Sequence, residues 1–136
     1  MRLKDKVIIV TGSTSGIGQA IVERAVAEGA RVLIHGIDQA AGEKLALALG
    51  SAAKFHWADL LDPASPARII AAAVQAFGRI DALVNNAAIV VRSTLATATL
   101  PAFERTIAIN LRAPYFLIQA AFPYLKATEG CVLNIG

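Results

Sequence analysis

"VIIVTGSTSGIG", Val7 to Gly18, decides how the rest of the chain is read. Four β-branched residues, Val7 to Val10, begin a short buried strand that runs to about Thr11 and then breaks into glycines and hydroxyls. The first gap in Gly12, Gly16 and Gly18 is wider than in the G-x-G-x-x-G dinucleotide fingerprint, but the physics is similar. Gly12 allows a tight turn out of the strand, Gly16 lets backbone approach a diphosphate, and Gly18 lets the next helix pack near the sheet. The start of that helix offers free N–H groups and a partial positive charge to an anion. Ser13, Thr14 and Ser15 add hydroxyl donors, and Ile17 sits between the last two glycines. A Ser/Thr-rich cap turn would look the same in isolation. Its place, after a first strand and before a first helix, favours nucleotide phosphate.

The rest of the chain alternates in the same way. Strands are expected at Arg31–His35, Lys54–Ala58, Asp81–Asn85 and Cys131–Ile135. Helices are expected at Gly18–Glu28, Gln39–Leu49, from Asp62 and Pro63 to about Phe77, and over roughly Pro101–Lys126 with a bend near Pro114. Gly29, Gly50, Gly78 and Gly130 each follow a helical segment, where a left-handed cap is wanted. Such alternation with right-handed crossovers gives an α/β fold, a doubly wound, Rossmann-like parallel sheet. About five strands fit, leaving the sheet incomplete at its C-terminal edge.

Composition agrees and narrows the partners. Of 136 residues, 56% are hydrophobic and 17% charged, which suits strands covered on both faces or a subunit of a homo-oligomer. A formal charge of +3 from scattered Lys and Arg gives no reason to expect nucleic acid or an anionic membrane. The single Cys131 reads as a reduced core residue of a cytoplasmic protein. Arg2, Lys4, Asp5 and Lys6 lead into too short an apolar stretch for a signal peptide, and Ala113–Leu125 is too short and broken to span a bilayer. His35, His56 and Trp57 read as packing residues in strands, and two isolated histidines make no metal site.

Four motifs in order resemble the short-chain dehydrogenases/reductases: "LKDKVIIVTGSTSGIGQAIV", "ADLLD", "LVNNAAIV" and "IAINLRAPYFLIQAAFPYLK". The resemblance runs the whole length, and it implies an NAD(P)-dependent oxidoreductase of carbonyl or secondary alcohol substrates. It places Asp59 at the adenine with Leu60 against the ring. Asn86, Ala87 and Ala88 fall on the NNAG stretch, with Ala88 where the family has glycine. Asn110 falls on the catalytic asparagine that holds a water in a proton relay; a purely structural amide is the alternative. Asn85 and Asn86 follow a strand at its carboxyl end, where such sheets bind ligands, and turn-forming asparagines would serve the fold equally.

The choice of nucleotide is left open, with a lean toward NADP. Asp38 stands about 20 residues beyond the turn, the distance at which an acidic residue would hold an unphosphorylated ribose. Aligned by the strand, the family's acidic position falls instead on Gly36, which would not repel a 2′-phosphate. The resemblance also implies a catalytic serine just after Gly136 and a Tyr-x-x-x-Lys pair on the next helix. Tyr115 is followed four residues on by Gln119, and Tyr124 by Thr128, so neither makes that pair. Residues 1–136 are therefore expected to be an NAD(P)-binding domain truncated before its catalytic segment and inactive alone. The alternative is a non-catalytic nucleotide-binding or self-associating module, and a different dinucleotide-binding family would share the fold.

Overall fold

The strand that opens the chain also forms the middle of the sheet. In the computed structural model, which describes residues 1–136, β1 (Val7–Val10) is buried at all four positions. It pairs in parallel with β2 (Arg31–Gly36) on one side and β4 (Ala82–Asn85) on the other. β3 (Ala53–Trp57) lies outside β2 and β5 (Cys131–Asn134) outside β4, giving the order β3-β2-β1-β4-β5 with every pairing parallel. The order reverses between β1 and β4. Crevices at the carboxyl ends of strands form at such a reversal.

Side chains alternate across the sheet and feed two cores. Ile9, Leu33 and Leu83 point to one face, where they meet Ile69 of α3 (Ser65–Phe77) and Leu117 of α5 (Ala113–Thr128). Ile8, Val10, Val32, Ile34 and Val84 point to the other, against Val22 of α1 (Gly16–Ala27) and Leu45 of α2 (Gln39–Leu49). Burying each such side chain contributes about 1.5–3 kcal/mol, so both layers are needed to hold strands this short. At the opposite end of the sheet from the crevice, Asp81 is buried and accepts from the Val7 N–H (2.9 Å), Arg79 and Lys6. Burial alone would raise its carboxyl, but Arg79, Val7 and Lys6 together hold it below the usual 3.8.

Several elements differ from the sequence expectation. α3 starts at Ser65 because Asp62 first closes a turn, accepting from the Ala64 N–H at 2.9 Å. The long helical region is three pieces: α4 (Leu100–Ile107), a π-helical turn at Ala108–Arg112, and α5. The irregularity thus precedes Pro114, whose missing N–H leaves nothing to continue the ladder there. Gly29, Gly50 and Gly78 do take positive φ, but Gly130 does not; Glu129 is the left-handed residue that ends α5, at φ 52°. Gly130 is small for another reason, since a Cβ there would collide with the Asp81 carbonyl. Cys131 is exposed and not a core residue, because β5 is an edge strand with a single neighbour. Tyr115 and Tyr124 are likewise exposed on α5 instead of packed inward.

Candidate cofactor cleft

α1 starts directly beneath the glycine turn, and it starts without a side-chain cap. Two other helices are capped: Asp38 accepts from the Ala41 N–H at the head of α2, and Thr99 from Ala102 at the head of α4, while α3, with Ala64 before it, is not. Ser15, at the equivalent place on α1, is extended (φ −159°) and leaves the first-turn N–H groups free. Gly12 and Gly16 take positive φ, 61° and 55°, and a Cβ on Gly16 would meet nothing within 4 Å. The backbone there is bare and points its donors outward. A helix N-terminus in this condition is suited to an anion.

The hydroxyls of Thr11 and Ser13 tie the turn to the strands on either side. Thr11 is the hub on the β4 side, its Oγ1 accepting from the N–H groups of both Asn86 and Ala87 at 3.0 Å. Asn86 returns its side-chain amide to the carbonyls of Thr11 and Gly12, each at 3.0 Å. On the β2 side, Ser13 is fully buried, donating to the Val10 carbonyl at 2.7 Å and accepting from the His35 N–H at 3.1 Å. Gly18 closes the turn from below: a Cβ would lie 2.6 Å from Asn86 Nδ2 and 2.7 Å from Ser13 Cα. Thr14 crosses over Gly36, where a Cβ would stand 2.9 Å from the Thr14 Oγ1.

Above this floor lies a cleft of about 440 Å³ across the carboxyl ends of the strands. Gly12, Thr14, Ser15, Gly16 and Ile17 line one part of it, and Gly36 with Ile37 the end of β2. Asp59, Leu60, Asn86, Ala87 and Ala88 complete the expected set, with Arg105 and Ile109 reaching in from the α4 side. Asp59 is fixed by the Leu61 N–H at 2.9 Å, and Leu60 is buried in the core below. Ala88 takes no positive φ, so alanine occupies the glycine position of the motif without backbone strain.

Four expected residues stand elsewhere. Ser13 faces the core, Gly18 packs under the turn, and Asp38 is committed to capping α2. Asn110 is exposed, not buried, in the π-helical turn, and lines a separate cavity of about 520 Å³ beyond β4 and β5. Its amide clasps the Ile89 backbone, accepting from the N–H at 2.9 Å and donating to the carbonyl at 2.8 Å.

The sequence reading gave Thr11 and Arg105 no role and took His35 for a packing residue; the ring is buried, but it is also bonded at both nitrogens. His35 is a buried ring directly after the apolar run Val32–Ile34, bonded to the Gly12 N–H and the Ala58 carbonyl. Burial pushes it from the usual 6.5 down to about 4, with the Ala58 bond opposing and His56 adding to the drop. Its signal was legible: a polar residue in a buried strand needs partners. Trp57, by contrast, is half exposed and donates from Nε1 to the Ile37 carbonyl at 3.0 Å.

Known proteins share this arrangement. The chain is 38% identical over 137 residues to a galactitol 2-dehydrogenase of Agrobacterium fabrum, covering 99% of this chain and 54% of that protein. It is 34% identical over 134 residues to a 3-beta-hydroxysteroid dehydrogenase of Comamonas testosteroni, covering 98% and 53%. It therefore spans about half the length of these relatives. Among solved structures, a blue fluorescent protein from a metagenomic library in complex with NADPH superposes with a TM-score of 0.91 at 36% identity, over all of this chain and 57% of that one. A glucose/ribitol dehydrogenase from Brucella melitensis gives 0.87 at 30% identity, over 91% and 51%. The family model described as short chain dehydrogenase matches residues 6–136, and the chain belongs to that family.

Proposed function

We propose that these residues form the cofactor-binding part of an NADP(H)-dependent oxidoreductase acting on a carbonyl or secondary alcohol. The observation that carries this is the uncapped start of α1 under a bare glycine turn, opening into the cleft at the point where the strand order reverses. The first-turn N–H groups of α1 with the Thr14 and Ser15 hydroxyls would hold the diphosphate. Asp59, Leu60 and Ile37 would receive the adenine end, and Asn86 to Ala88 the nicotinamide side. A bound nicotinamide supplies hydride transfer. What the chain itself supplies is the cradle, its rigidity and a dry floor.

NADP is favoured over NAD by what surrounds Gly36. Gly36 itself carries no carboxylate, Asp38 is engaged in its cap, and Arg105 as well as Asp59 lines the same cleft. The likeness to a structure holding NADPH points the same way. Both relatives named above are dehydrogenases, in keeping with an alcohol or carbonyl substrate. The tyrosine and lysine that such proton transfer needs are not offered by Tyr115 or Tyr124, which lie exposed along α5. These 136 residues alone should then bind dinucleotide without turning it over. Fluorescence titration of NADPH and NADH tests this: saturable binding, tighter for NADPH, with no steady-state oxidation by simple ketones is expected. No saturable binding of either would defeat the proposal.

A further inference from the structure

Between the glycine turn and the strand beside it sits the ring of His35, only 2% exposed. Its Nδ1 lies 3.2 Å from the Gly12 nitrogen and its Nε2 lies 2.9 Å from the Ala58 carbonyl oxygen. A backbone N–H only donates and a carbonyl only accepts, so the two bonds admit one arrangement. The ring is neutral, with its proton on Nε2 and a lone pair on Nδ1. His35 thereby joins the first residue of the turn to the segment that follows β3, reaching across the end of β2. Its backbone takes part as well, through the Ser13 N–H to the His35 carbonyl at 2.8 Å.

We propose that His35 is a positioning residue for cofactor binding: its Nδ1 lone pair holds the Gly12 amide and so sets the path of the diphosphate-binding turn. The Asn86 amide grips the Thr11 and Gly12 carbonyls from the β4 side, and Ala87 leaves no room for a Cβ on Gly12, at 2.8 Å from its Cα. These contacts limit the turn on the β4 flank; on the β2 flank Ser13 is tied to the His35 backbone, and at Gly12 itself the imidazole is the hold. Without the imidazole acceptor, the Gly12 N–H would be left unpaired in a part-buried place, a cost relieved by the turn moving. Because Gly12 takes positive φ, that movement meets little backbone resistance. The first-turn donors of α1 follow directly after and would shift with it.

This inference rests on the reading of the cleft as an NADP(H) site, and three variants separate the two. His35→Asn puts an acceptor near the Nδ1 position and gives up Ala58. His35→Gln reaches the Nε2 position, keeps Ala58 and gives up Gly12. His35→Leu loses both. All three should melt at lower temperature than the parent. NADPH affinity, read by fluorescence titration, should fall roughly tenfold in the Gln and Leu variants and stay within about threefold in the Asn variant. Amide hydrogen exchange at Gly12 should be protected in the parent and the Asn variant and faster in the other two. Equal NADPH affinity in the Asn and Gln variants, or unchanged Gly12 exchange in the Gln variant, would overturn the inference. If the parent chain binds no NADPH, the reading of the cleft falls, and Gly12 exchange alone then decides whether His35 holds the turn.

Discussion

At the scale of single residues, the polar groups nearest the cleft spend most of their bonds on the chain itself. Asn86 gives its amide protons to Thr11 and Gly12, and Ser13 serves β1 and β2, so the proposed diphosphate contacts fall to backbone donors and to Thr14 and Ser15. Type and spacing located this turn in the sequence, yet they could not say which hydroxyl points inward. That depends on which strand end lies alongside. His35 shows the consequence for stability. The unfolded ring takes up a proton at about 6.5 and the folded one only at about 4, so between those values acid favours the unfolded chain. Stability should be flat above 6.5 and fall by about 3 kcal/mol as the pH drops toward 4. His56, also lowered by burial and by Arg68, adds slope of the same sign, while Asp59 nearby favours the protonated ring. Urea unfolding at about pH 7.5 and about pH 4.5 measures this, and His35→Asn should remove most of the difference. Equal stability at both values would contradict the assignment. Gly18→Ala is a steric counterpart. With the Gly12 carbonyl, Asn86 and Ser13 all in the way, it should cost about 1–3 kcal/mol of stability, read by the same unfolding curves.

At the scale of elements, the strands were legible almost to the residue because four of the five carry Val or Ile in a mainly apolar stretch that ends at or just before a glycine or asparagine. The helical region after β4 was not. A bend near Pro114 follows from the missing N–H, but the sequence does not show how the ladder would accommodate it. The chain widens the preceding turn, and the Ala113 N–H bonds to the Ala108 carbonyl five residues back. That widening faces Asn110 toward the loop after β4, where it clasps Ile89. Asn110 was readable as a polar oddity within a helix; its partner was not, because the loop that supplies it has no periodic pattern. Asn110→Ala should cost only about 1 kcal/mol, since the group is exposed. Its larger effect should be on the loop, with faster amide exchange at Ile89 and earlier proteolytic cleavage within residues 86–99. Unchanged exchange at Ile89 would show that the clasp does not hold the loop.

At the scale of the whole molecule, the chain presents more apolar surface than its own core can cover. Phe103, Ile107, Leu111 and Tyr115 recur every four residues along α4, the π-helical turn and α5, and all four are exposed. On the other face of the sheet, Leu3, Ile8, Ile21 and Leu133 line an open groove of about 560 Å³ beside the edge strand β5. Burying such surfaces is favourable, and an unpaired strand edge templates association. Sedimentation velocity should therefore show association that grows with protein concentration, and a compact monomer at high concentration would argue against it. The fold itself was legible because alternation, glycine punctuation and a parallel sheet all pointed to one architecture; the exposed stripe was not, because apolar residues at helical spacing read as core. The proposed cofactor site turns on the bare backbone at Gly16 receiving the diphosphate. Gly50 supplies a matched control, since it too has positive φ and open space around it but lies away from the cleft. NADPH titration of Gly16→Asp beside Gly50→Asp isolates charge at the turn from backbone strain. A loss of about tenfold or more is expected for Gly16→Asp and a change within about twofold for Gly50→Asp. Parent-like affinity in Gly16→Asp would contradict it.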